Sequence, residues 1–122
     1  MSSKKILIVD DSPTERQFLS ELLSKNGFEV TTADDGEDGV AKSQSVSPDL
    51  IVMDVVMPGL NGFQATKQIS THDSTKHIPI IMCTTKDQET DKVWAVRQGA
   101  KDYVTKPVDE SELLSKIRQY AS

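Results

Sequence analysis

The sequence predicts one α/β domain in which a parallel β-sheet is covered by helices on both faces. Two observations lead to this fold class. Short apolar segments recur along the 122 residues, and the segments between them carry apolar residues at helical spacing. Repeated strand–helix units joined by short loops require right-handed crossovers and therefore parallel strands. The length fits a single domain, so we expect residues 1–122 to form one folding unit.

Five apolar segments bounded by turn residues are the predicted strands. They are Ile6–Val9, Phe28–Ala33, Asp49–Met53, Ile78–Cys83 and Tyr103–Val104. The first contains apolar residues only, which is typical of a strand that is buried on both faces of a parallel sheet. Cys83 is the only cysteine, so no internal disulfide can form, and its apolar neighbours predict a buried, unreactive thiol.

The first helix is predicted to begin directly after Asp11. Ser12 is the expected N-cap, and Pro13 occupies the first helical position, where a missing N–H is harmless. Glu15 is expected to close a capping box by accepting from the backbone N–H of Ser12. The apolar face of this helix consists of Phe18, Leu19, Leu22 and Leu23. Gly27 is expected to end the helix in a left-handed conformation.

The other helices show similar but less complete signals. The second, Glu37–Ser45, has the weakest pattern because Gly39 interrupts it. The apolar face of the third contains Phe63, Ala65, Thr66 and Ile69. Gly99 is expected to end the fourth helix. Asp109 and Glu112 repeat the capping arrangement before the fifth helix, whose apolar face contains Leu113, Leu114 and Ile117.

The charge balance and hydropathy exclude several classes of protein. Fourteen Lys and Arg residues stand against nineteen Asp and Glu residues, and the net charge of -5 would repel a nucleic acid backbone. The apolar run before Asp10 is only four residues long, Ile6–Val9, which is too short for a signal-peptide core, and no apolar run approaches the ~20 residues of a membrane span. We therefore expect a cytoplasmic protein that binds no nucleic acid and does not insert into membranes.

Acidic residues directly follow two of the predicted strands. Asp10 and Asp11 follow the first strand, and Asp54 follows the third. In an open parallel sheet, ligands bind beyond the carboxyl ends of the strands, where the strand order reverses. If the first and third strands are neighbours, the three carboxylates converge there, and either a pKa rises or a cation binds. Oxygen ligands without accompanying His or Cys favour Mg²⁺ or Mn²⁺.

Two more polar residues lie at strand ends. Thr84 follows the fourth predicted strand and offers a hydroxyl, and Lys106 lies just beyond the fifth and offers an ammonium group. Carboxylates, a divalent ion, a hydroxyl and an ammonium group together suit phosphoryl transfer, which depends mainly on positioning and on neutralising oxygen charge. A carboxylate can itself accept the phosphoryl group as an aspartyl phosphate.

These motifs resemble the receiver domains of two-component response regulators, the CheY-like family, over essentially the whole chain. The matching segments are Ile6–Ser12 (ILIVDDS), Leu50–Gly59 (LIVMDVVMPG), Pro79–Thr84 (PIIMCT) and Asp102–Pro107 (DYVTKP). The resemblance implies a flavodoxin-like, doubly wound (βα)5 fold with strand order 2-1-3-4-5. It also implies that residues 1–122 are a single receiver domain without an output domain.

The family resemblance also implies roles for the residues at the strand ends. Asp54 is the implied phosphoacceptor. The implied ligands of the Mg²⁺ or Mn²⁺ ion are Asp10, Asp11, Asp54 and the backbone carbonyl of Val56. No other cofactor is implied.

The remaining implied roles concern catalysis and signalling. Lys106 contacts the phosphoryl group, and the Lys106–Pro107 peptide bond is cis. Thr84 and Tyr103 form a switch pair in which the hydroxyl moves to the phosphoryl group and the ring turns inward. This movement alters the surface of the fourth helix, fifth strand and fifth helix. Trp94, in the fourth helix, is expected to be partly exposed on that surface.

Three longer segments, Met57–Thr66, Thr84–Ala95 and Arg97–Glu110, are similar to regulators of the chemosensory systems that control type IV pilus twitching motility. This similarity implies a CheA-like histidine kinase, or its phosphotransfer domain, as phosphodonor. A downstream protein is the expected target, and we expect a monomer. Where the family often has alanine after the switch threonine, this chain has Thr85 and then Lys86, a cation that can approach the phosphoryl group.

A phosphoacceptor switch is the main hypothesis, a phosphate sink is the alternative, and the sequence argues against two further classes of protein. A phosphate sink uses the same chemistry but serves to drain a shared kinase. A Mg²⁺-dependent phosphatase of the haloacid-dehalogenase type requires carboxylates two residues apart, whereas Asp10 and Asp11 are adjacent. A flavin carrier requires a phosphate loop rich in hydroxyls and glycine at this position. We therefore expect no enzymatic turnover beyond intrinsic autophosphorylation and autodephosphorylation.

Overall fold

The protein is described here by a computed structural model, which covers residues 3–121. In these residues five parallel strands form one sheet of order β2-β1-β3-β4-β5. The strands are β1 (Lys5–Val9), β2 (Glu29–Ala33), β3 (Leu50–Met53), β4 (Ile80–Thr84) and β5 (Asp102–Thr105). The helices are α1 (Pro13–Lys25), α2 (Gly36–Val46), α3 (Gly62–Thr71), α4 (Glu89–Gln98) and α5 (Glu110–Ala121). The predicted fold class and strand order are confirmed.

The register of the sheet brings the polar strand ends together. Val9 of β1 pairs with Met53 of β3, so that the residues following them lie side by side. The backbone N–H of Asp54 continues this pairing by donating to the carbonyl of Val9 at 2.9 Å. Since β1 and β3 are adjacent in the centre of the sheet, their carboxyl ends form the point at which the strand order reverses.

Each face of the sheet has its own apolar core because side chains alternate along every strand. Leu7 and Ile51 contribute to the core on one face, which is covered by residues of α2, α3 and α4. Ile8 and Val52 contribute to the core on the other face, together with Leu19 of α1 and residues of α5. The apolar segment Ile6–Val9 of β1 is therefore buried on both sides, as its composition predicted.

The helix ends agree with most of the predicted signals. Gly27 and Gly99 have φ angles of +91° and +114°, which glycine adopts without strain. The backbone N–H of Glu112 donates to the side chain of Asp109 at 3.0 Å, as expected for a cap. Helix α2 forms in spite of Gly39, since that glycine allows the helix to pack against Val9 of β1 at a distance that leaves no room for a Cβ.

The capping box at the start of α1 is only half formed, so that part of the prediction was wrong. The hydroxyl oxygen of Ser12 accepts from the backbone N–H of Glu15 at 3.3 Å, as predicted. The backbone N–H of Ser12, however, donates to Oδ1 of Asp10 at 2.9 Å instead of to Glu15. The nearby carboxylate of Asp10 takes the donor that Glu15 was expected to use.

The predicted strand bounds differ from the observed ones by one or two residues. The largest shift is in β4, which begins at Ile80 and includes Thr84. Pro79 has no N–H to donate to a ladder, which accounts for the later start. Cys83 is buried within β4, and burial raises the pKa of its thiol to about 12, as expected for an unreactive cysteine. Within residues 3–121, no helix combines the length and the apolar character needed to cross a membrane.

Candidate functional site

Polar residues at or just beyond the carboxyl ends of β1, β3, β4 and β5 meet at one edge of the sheet. Asp10, Asp11 and Asp54 each place one carboxylate oxygen within 4.8 Å of the others. Lys106 reaches the same position from the segment after β5. The convergence predicted from the strand ends is therefore present in the structure.

Asp10 is buried and held by hydrogen bonds to both of its carboxylate oxygens. Oδ1 accepts from the backbone N–H of Ser12 at 2.9 Å, and Oδ2 accepts from Nζ of Lys106 at 2.8 Å. The backbone carbonyl of Asp10 accepts from Nη1 of Arg16 at 2.6 Å. These three bonds fix the position of Asp10. Sequence reasoning did not identify Arg16, since its contact is with the backbone and no motif indicates it.

Asp54 is also buried, but its carboxylate lacks the hydrogen bond to Lys106 that Asp10 has. Oδ1 accepts from the backbone N–H of Val55 at 2.8 Å, while Oδ2 lies 3.8 Å from Nζ of Lys106. Burial raises the pKa of Asp54, although the charge of Lys106 acts in the opposite direction. Asp10 raises the pKa further, whereas hydrogen bonds from Val55 and Thr84 lower it. Part of the charge of Asp54 thus remains uncompensated, and a cation would stabilise it.

Lys106 is the cationic group of this site. Its side chain is 11% exposed, and Nζ lies 2.8 Å from Oδ2 of Asp10. The distance from Nζ is 3.8 Å both to Oδ2 of Asp54 and to Oε2 of Glu15. Burial alone would lower the pKa of Lys106, but the hydrogen bond to Asp10 and the charge of Asp54 raise it above the ordinary value. The ammonium group is therefore charged at neutral pH. The Lys106–Pro107 peptide bond is cis.

Thr84 and Tyr103 are linked through the loop that joins β4 to α4. Thr84 is fully buried, and its hydroxyl oxygen accepts from the backbone N–H of Lys86 at 3.4 Å. The hydroxyl of Tyr103 donates to the backbone carbonyl of Lys86 at 2.8 Å. One residue of the loop thus contacts both members of the predicted switch pair. The hydroxyl of Tyr103 makes no hydrogen bond to Asp10, Asp11 or Asp54.

Two predicted ligands lie closer to solvent. Asp11 is exposed, so its carboxylate is accessible at the open side of the acidic cluster. Val56 lies in the loop between β3 and α3, and its side chain is exposed. The tight packing of this loop depends on Gly62, where a Cβ would collide with the backbone carbonyl of Asp54. Gly62 therefore allows the start of α3 to lie directly against the loop that carries Asp54.

An open cleft of about 350 Å³ lies beside this loop. Its walls are formed by Val55, Val56, Met57, Asn61, Phe63 and Lys86. Val55, which directly follows Asp54 in the chain, is one of these residues, so the cleft lies next to the loop that carries Asp54. A second depression, of about 430 Å³, is on the outer face of α4 and does not reach the acidic cluster; Val93 and Val96 are among the residues that line it.

The residues present fit a hard divalent cation. Three carboxylates supply oxygen ligands only, which is the chemistry that Mg²⁺ prefers. Burial and, to a smaller extent, the neighbouring Asp10 raise the pKa of Asp54, so a bound cation would stabilise its charged form. Asp11, Asp54 and Asp10 are thus the candidate protein ligands.

Sequence comparison identifies a family and several relatives. The family model for the response regulator receiver domain matches residues 6–118. Protein PilH of Pseudomonas aeruginosa is 59% identical over 113 residues, which cover 93% of this chain and 93% of PilH. The alkaline phosphatase synthesis transcriptional regulatory protein PhoP of Bacillus subtilis is 40% identical over 116 residues, but these cover only 48% of PhoP. The chain thus spans about half the length of this longer relative.

Solved structures with the same fold include chemotaxis proteins and receiver domains. CheY4 of Vibrio cholerae superposes with a TM-score of 0.92 at 35% identity, covering 98% of this chain and 99% of CheY4. The receiver domain of the sensor histidine kinase PA1611 from Pseudomonas aeruginosa superposes with a TM-score of 0.90 at 28% identity, covering 98% of each chain. That domain was solved with a magnesium ion coordinated in its active site cleft. These similarities confirm the family resemblance predicted from the motifs.

Proposed function

The chain belongs to the response regulator receiver domain family, and we propose that it is a phosphoacceptor switch whose acceptor is Asp54. In this proposal a phosphohistidine of a histidine kinase, or of its phosphotransfer domain, donates the phosphoryl group. The phosphorylated protein then binds a downstream protein differently from the unphosphorylated one. No turnover of a small-molecule substrate is part of this function.

The observation that carries the proposal is the position of Lys106 between two buried carboxylates. Nζ is hydrogen bonded to Asp10 but lies 3.8 Å from Asp54 Oδ2. An ammonium group at this place can neutralise charge on a phosphoryl group attached to that oxygen. Phosphoryl transfer depends mainly on such positioning and charge neutralisation. Asp10, in contrast, uses both carboxylate oxygens in hydrogen bonds and is a poor candidate for the acceptor.

The proposed transfer forms one bond and breaks one bond. Oδ2 of Asp54 attacks the phosphorus atom of the phosphohistidine, an O–P bond forms, and the N–P bond to the imidazole breaks. The imidazole leaves with the electron pair and takes up a proton from solvent. Lys106 and the hydroxyl of Thr84 then contact oxygens of the phosphoryl group. Hydrolysis later returns Asp54 to its carboxylate form and releases inorganic phosphate.

Mg²⁺ is the proposed cofactor of this site, with Mn²⁺ as a substitute. Asp11, Asp54 and Asp10, together with the backbone carbonyl of Val56, would hold it. A bound divalent ion supplies positive charge that offsets the repulsion between an acidic site and an incoming phosphoryl group. The magnesium ion in the PA1611 receiver domain supports this assignment by similarity.

We propose that phosphorylation changes the surface formed by α4, β5 and α5, and that the downstream protein binds there. Tyr103 of β5 and Thr84 of β4 both contact Lys86, which lies between the acidic cluster and the start of α4. A movement of Thr84 towards a phosphoryl group would break its contact with Lys86 and shift this loop. On α4, Trp94 is 48% exposed and Val96 is 63% exposed. Exposed apolar residues of this size are typical of a surface that binds another protein.

The biological role is proposed from the similarity to PilH. A CheA-like histidine kinase is the proposed donor, and control of type IV pilus twitching motility is the proposed pathway. The donor obtains its phosphoryl group from ATP, so the proposed location is the cytoplasm. We propose that the protein acts as a monomer.

Incubation with Mg²⁺ and a small acyl phosphate, followed by intact mass measurement, tests the proposal. We expect one added phosphoryl group on the wild type and none on Asp54→Asn. Asp73→Asn, which removes an exposed carboxylate far from the site, is the control and should be labelled like the wild type. Equal labelling of wild type and Asp54→Asn would refute Asp54 as the acceptor.

A phosphate sink is the alternative function. A short phosphoryl lifetime, without any partner that distinguishes the phosphorylated from the unphosphorylated protein, would favour a sink over a switch.

A further inference from the structure

Glu15 has an unusual environment at the start of α1. Its Oε2 atom is buried and accepts no hydrogen bond, and among the side-chain nitrogen and oxygen atoms of residues 3–121 it is the only such atom. The nearest opposite charge is Nζ of Lys106, at 3.8 Å. The Glu15 side chain as a whole is 35% exposed, but a carboxylate oxygen that has neither water nor a hydrogen-bond donor needs another source of stabilisation. The ammonium group of Lys106 supplies it.

The local structure explains why Glu15 points towards the site. In a capping box its carboxylate would turn back to the N–H of Ser12. Asp10 occupies that N–H instead, and the side chain of Glu15 is left to face Lys106. The same carboxylate of Asp10 therefore binds Lys106 and displaces Glu15 from its capping position.

Three carboxylates consequently share one ammonium group. Asp10 holds Lys106 at hydrogen-bond distance, whereas Asp54 and Glu15 lie at equal distances of 3.8 Å. The attraction of Lys106 towards Glu15 opposes its attraction towards Asp54. Any movement of the ammonium group towards a phosphoryl group on Asp54 must overcome this competing attraction.

We propose that Glu15 is a positioning residue that restrains Lys106 and thereby weakens the hold of the site on a phosphoryl group. The inference rests on the proposed function, because it requires Asp54 to be the acceptor. Glu15 touches neither Asp54 nor the phosphoryl group and acts only through Lys106. It sets how strongly the phosphorylated state is favoured, and hence how easily the switch returns to its resting form.

The substitution Glu15→Gln tests this role because it removes the charge and preserves the size of the side chain. Beryllofluoride, a stable analogue of the phosphoryl group, is the probe and is added with saturating Mg²⁺. We expect Glu15→Gln to bind beryllofluoride about 2- to 5-fold more tightly than the wild type, as for the loss of one ion pair whose carboxylate side chain is 35% exposed. Glu21→Gln is the matched control, since Glu21 is an exposed glutamate on the same helix whose partner is Gln17.

A second readout does not depend on the analogue or on Mg²⁺. The side-chain ammonium signal of Lys106 can be followed by ¹⁵N NMR in the metal-free protein. Glu15→Gln should shift or broaden this signal, whereas Glu21→Gln should leave it as in the wild type. A purely structural effect on helix α1 would not single out the ammonium group of Lys106.

The outcomes separate the two proposals. If the wild type does not bind beryllofluoride, the proposed function fails. If the wild type binds it and Glu15→Gln binds with the same affinity as Glu21→Gln, only the role of Glu15 is overturned. An unchanged Lys106 signal in Glu15→Gln overturns that role in either case.

Discussion

The ammonium nitrogen of Lys106 lies 2.8 Å from Oδ2 of Asp10, a residue 96 positions earlier in the chain. Both side chains are almost completely buried, with 11% and 3% exposed. The pair joins the segment after β5 to the end of β1 across the top of the sheet. A second carboxylate, Asp54, lies within the same ammonium group's reach without a hydrogen bond to it. Because Lys106 is hydrogen bonded to Asp10 and not to Asp54, the carboxylate of Asp54 is the more available nucleophile of the two.

Removal of the Asp54 charge should stabilise the metal-free protein. Burial and the neighbouring Asp10 both disfavour the charged carboxylate of Asp54 in the folded state, so Asp54→Asn should raise the free energy of unfolding by about 1 kcal/mol. Mg²⁺ should stabilise the wild type and have a smaller effect on Asp54→Asn, because the variant has lost one proposed ligand. Urea denaturation with EDTA and with Mg²⁺ measures both effects. A metal-free Asp54→Asn protein less stable than the wild type would contradict this prediction.

The Asp102–Lys116 pair should make stability depend on acid pH. Burial alone would raise the pKa of Asp102, but hydrogen bonds from Lys116 Nζ at 2.8 Å and from the N–H of Tyr103 lower it below 3.8. A lowered carboxylate pKa stabilises the fold above the unfolded-state value, and this stabilisation is lost as the pH falls through the folded-state value. Asp102→Asn should therefore be about 1 kcal/mol less stable than the wild type at pH 7.

This difference should begin to close as the pH falls through the unfolded-state value of 3.8, and it should vanish below the lowered folded-state pKa, where Asp102 is protonated in both states. Urea denaturation of both proteins over a pH series measures it. A double-mutant cycle with Lys116→Met assigns the effect to the pair. A difference that stays constant from pH 7 to pH 3 would show that the charge of Asp102 is not its source.

The hydroxyl of Tyr103 should contribute to stability but not to the chemistry. Tyr103→Phe removes the hydrogen bond to the carbonyl of Lys86 and should cost about 1 kcal/mol in unfolding free energy. The rate of labelling by an acyl phosphate should stay within about twofold of the wild type, since this hydroxyl makes no bond to the carboxylates. Thr84→Val provides the contrast, because it removes a hydroxyl that lowers the pKa of Asp54. A tenfold loss of labelling in Tyr103→Phe would contradict this separation.

Trp94 should report the conformational change. It is the only tryptophan in the chain and is about half exposed on α4, so its partial exposure agrees with expectation. Adding Mg²⁺ and an acyl phosphate should change its fluorescence intensity and its quenching by acrylamide in the wild type. Asp54→Asn should show neither change. A response of equal size in both proteins would mean that the signal does not arise from phosphorylation of Asp54.

The fold could be predicted from the sequence to within a few residues at each boundary. Apolar strands, helix caps at Ser12 and Asp109, and left-handed glycines at 27 and 99 are local features, and local physics places them. The strand order, in contrast, could not be predicted from local features. Periodicity carries no information on which strands are neighbours, so the order came from the family resemblance.

The sequence predicted which residues form the core of the candidate site, but it did not predict all of the contacts between them and their neighbours. Asp10, Asp11 and Asp54 were found because acidic residues followed buried strands, a pattern that the sequence displays directly. Glu15 was assigned to a helix cap, and Arg16 was not identified. Asp10 decides the contacts of both residues. Its carboxylate accepts from the N–H of Ser12, which Glu15 was expected to use, and its backbone carbonyl accepts from Arg16.

The sequence by itself determined that three carboxylates, a hydroxyl and an ammonium group lie at strand ends, because local patterns predict where the strands and the capped helices begin and end. Only the tertiary structure decided how those side chains divide a limited number of partners. One ammonium group faces three carboxylates, and one backbone N–H could have been used by either Asp10 or Glu15. Differences of about one ångström between such contacts depend on strand register and side-chain packing, and no spacing along the chain encodes them.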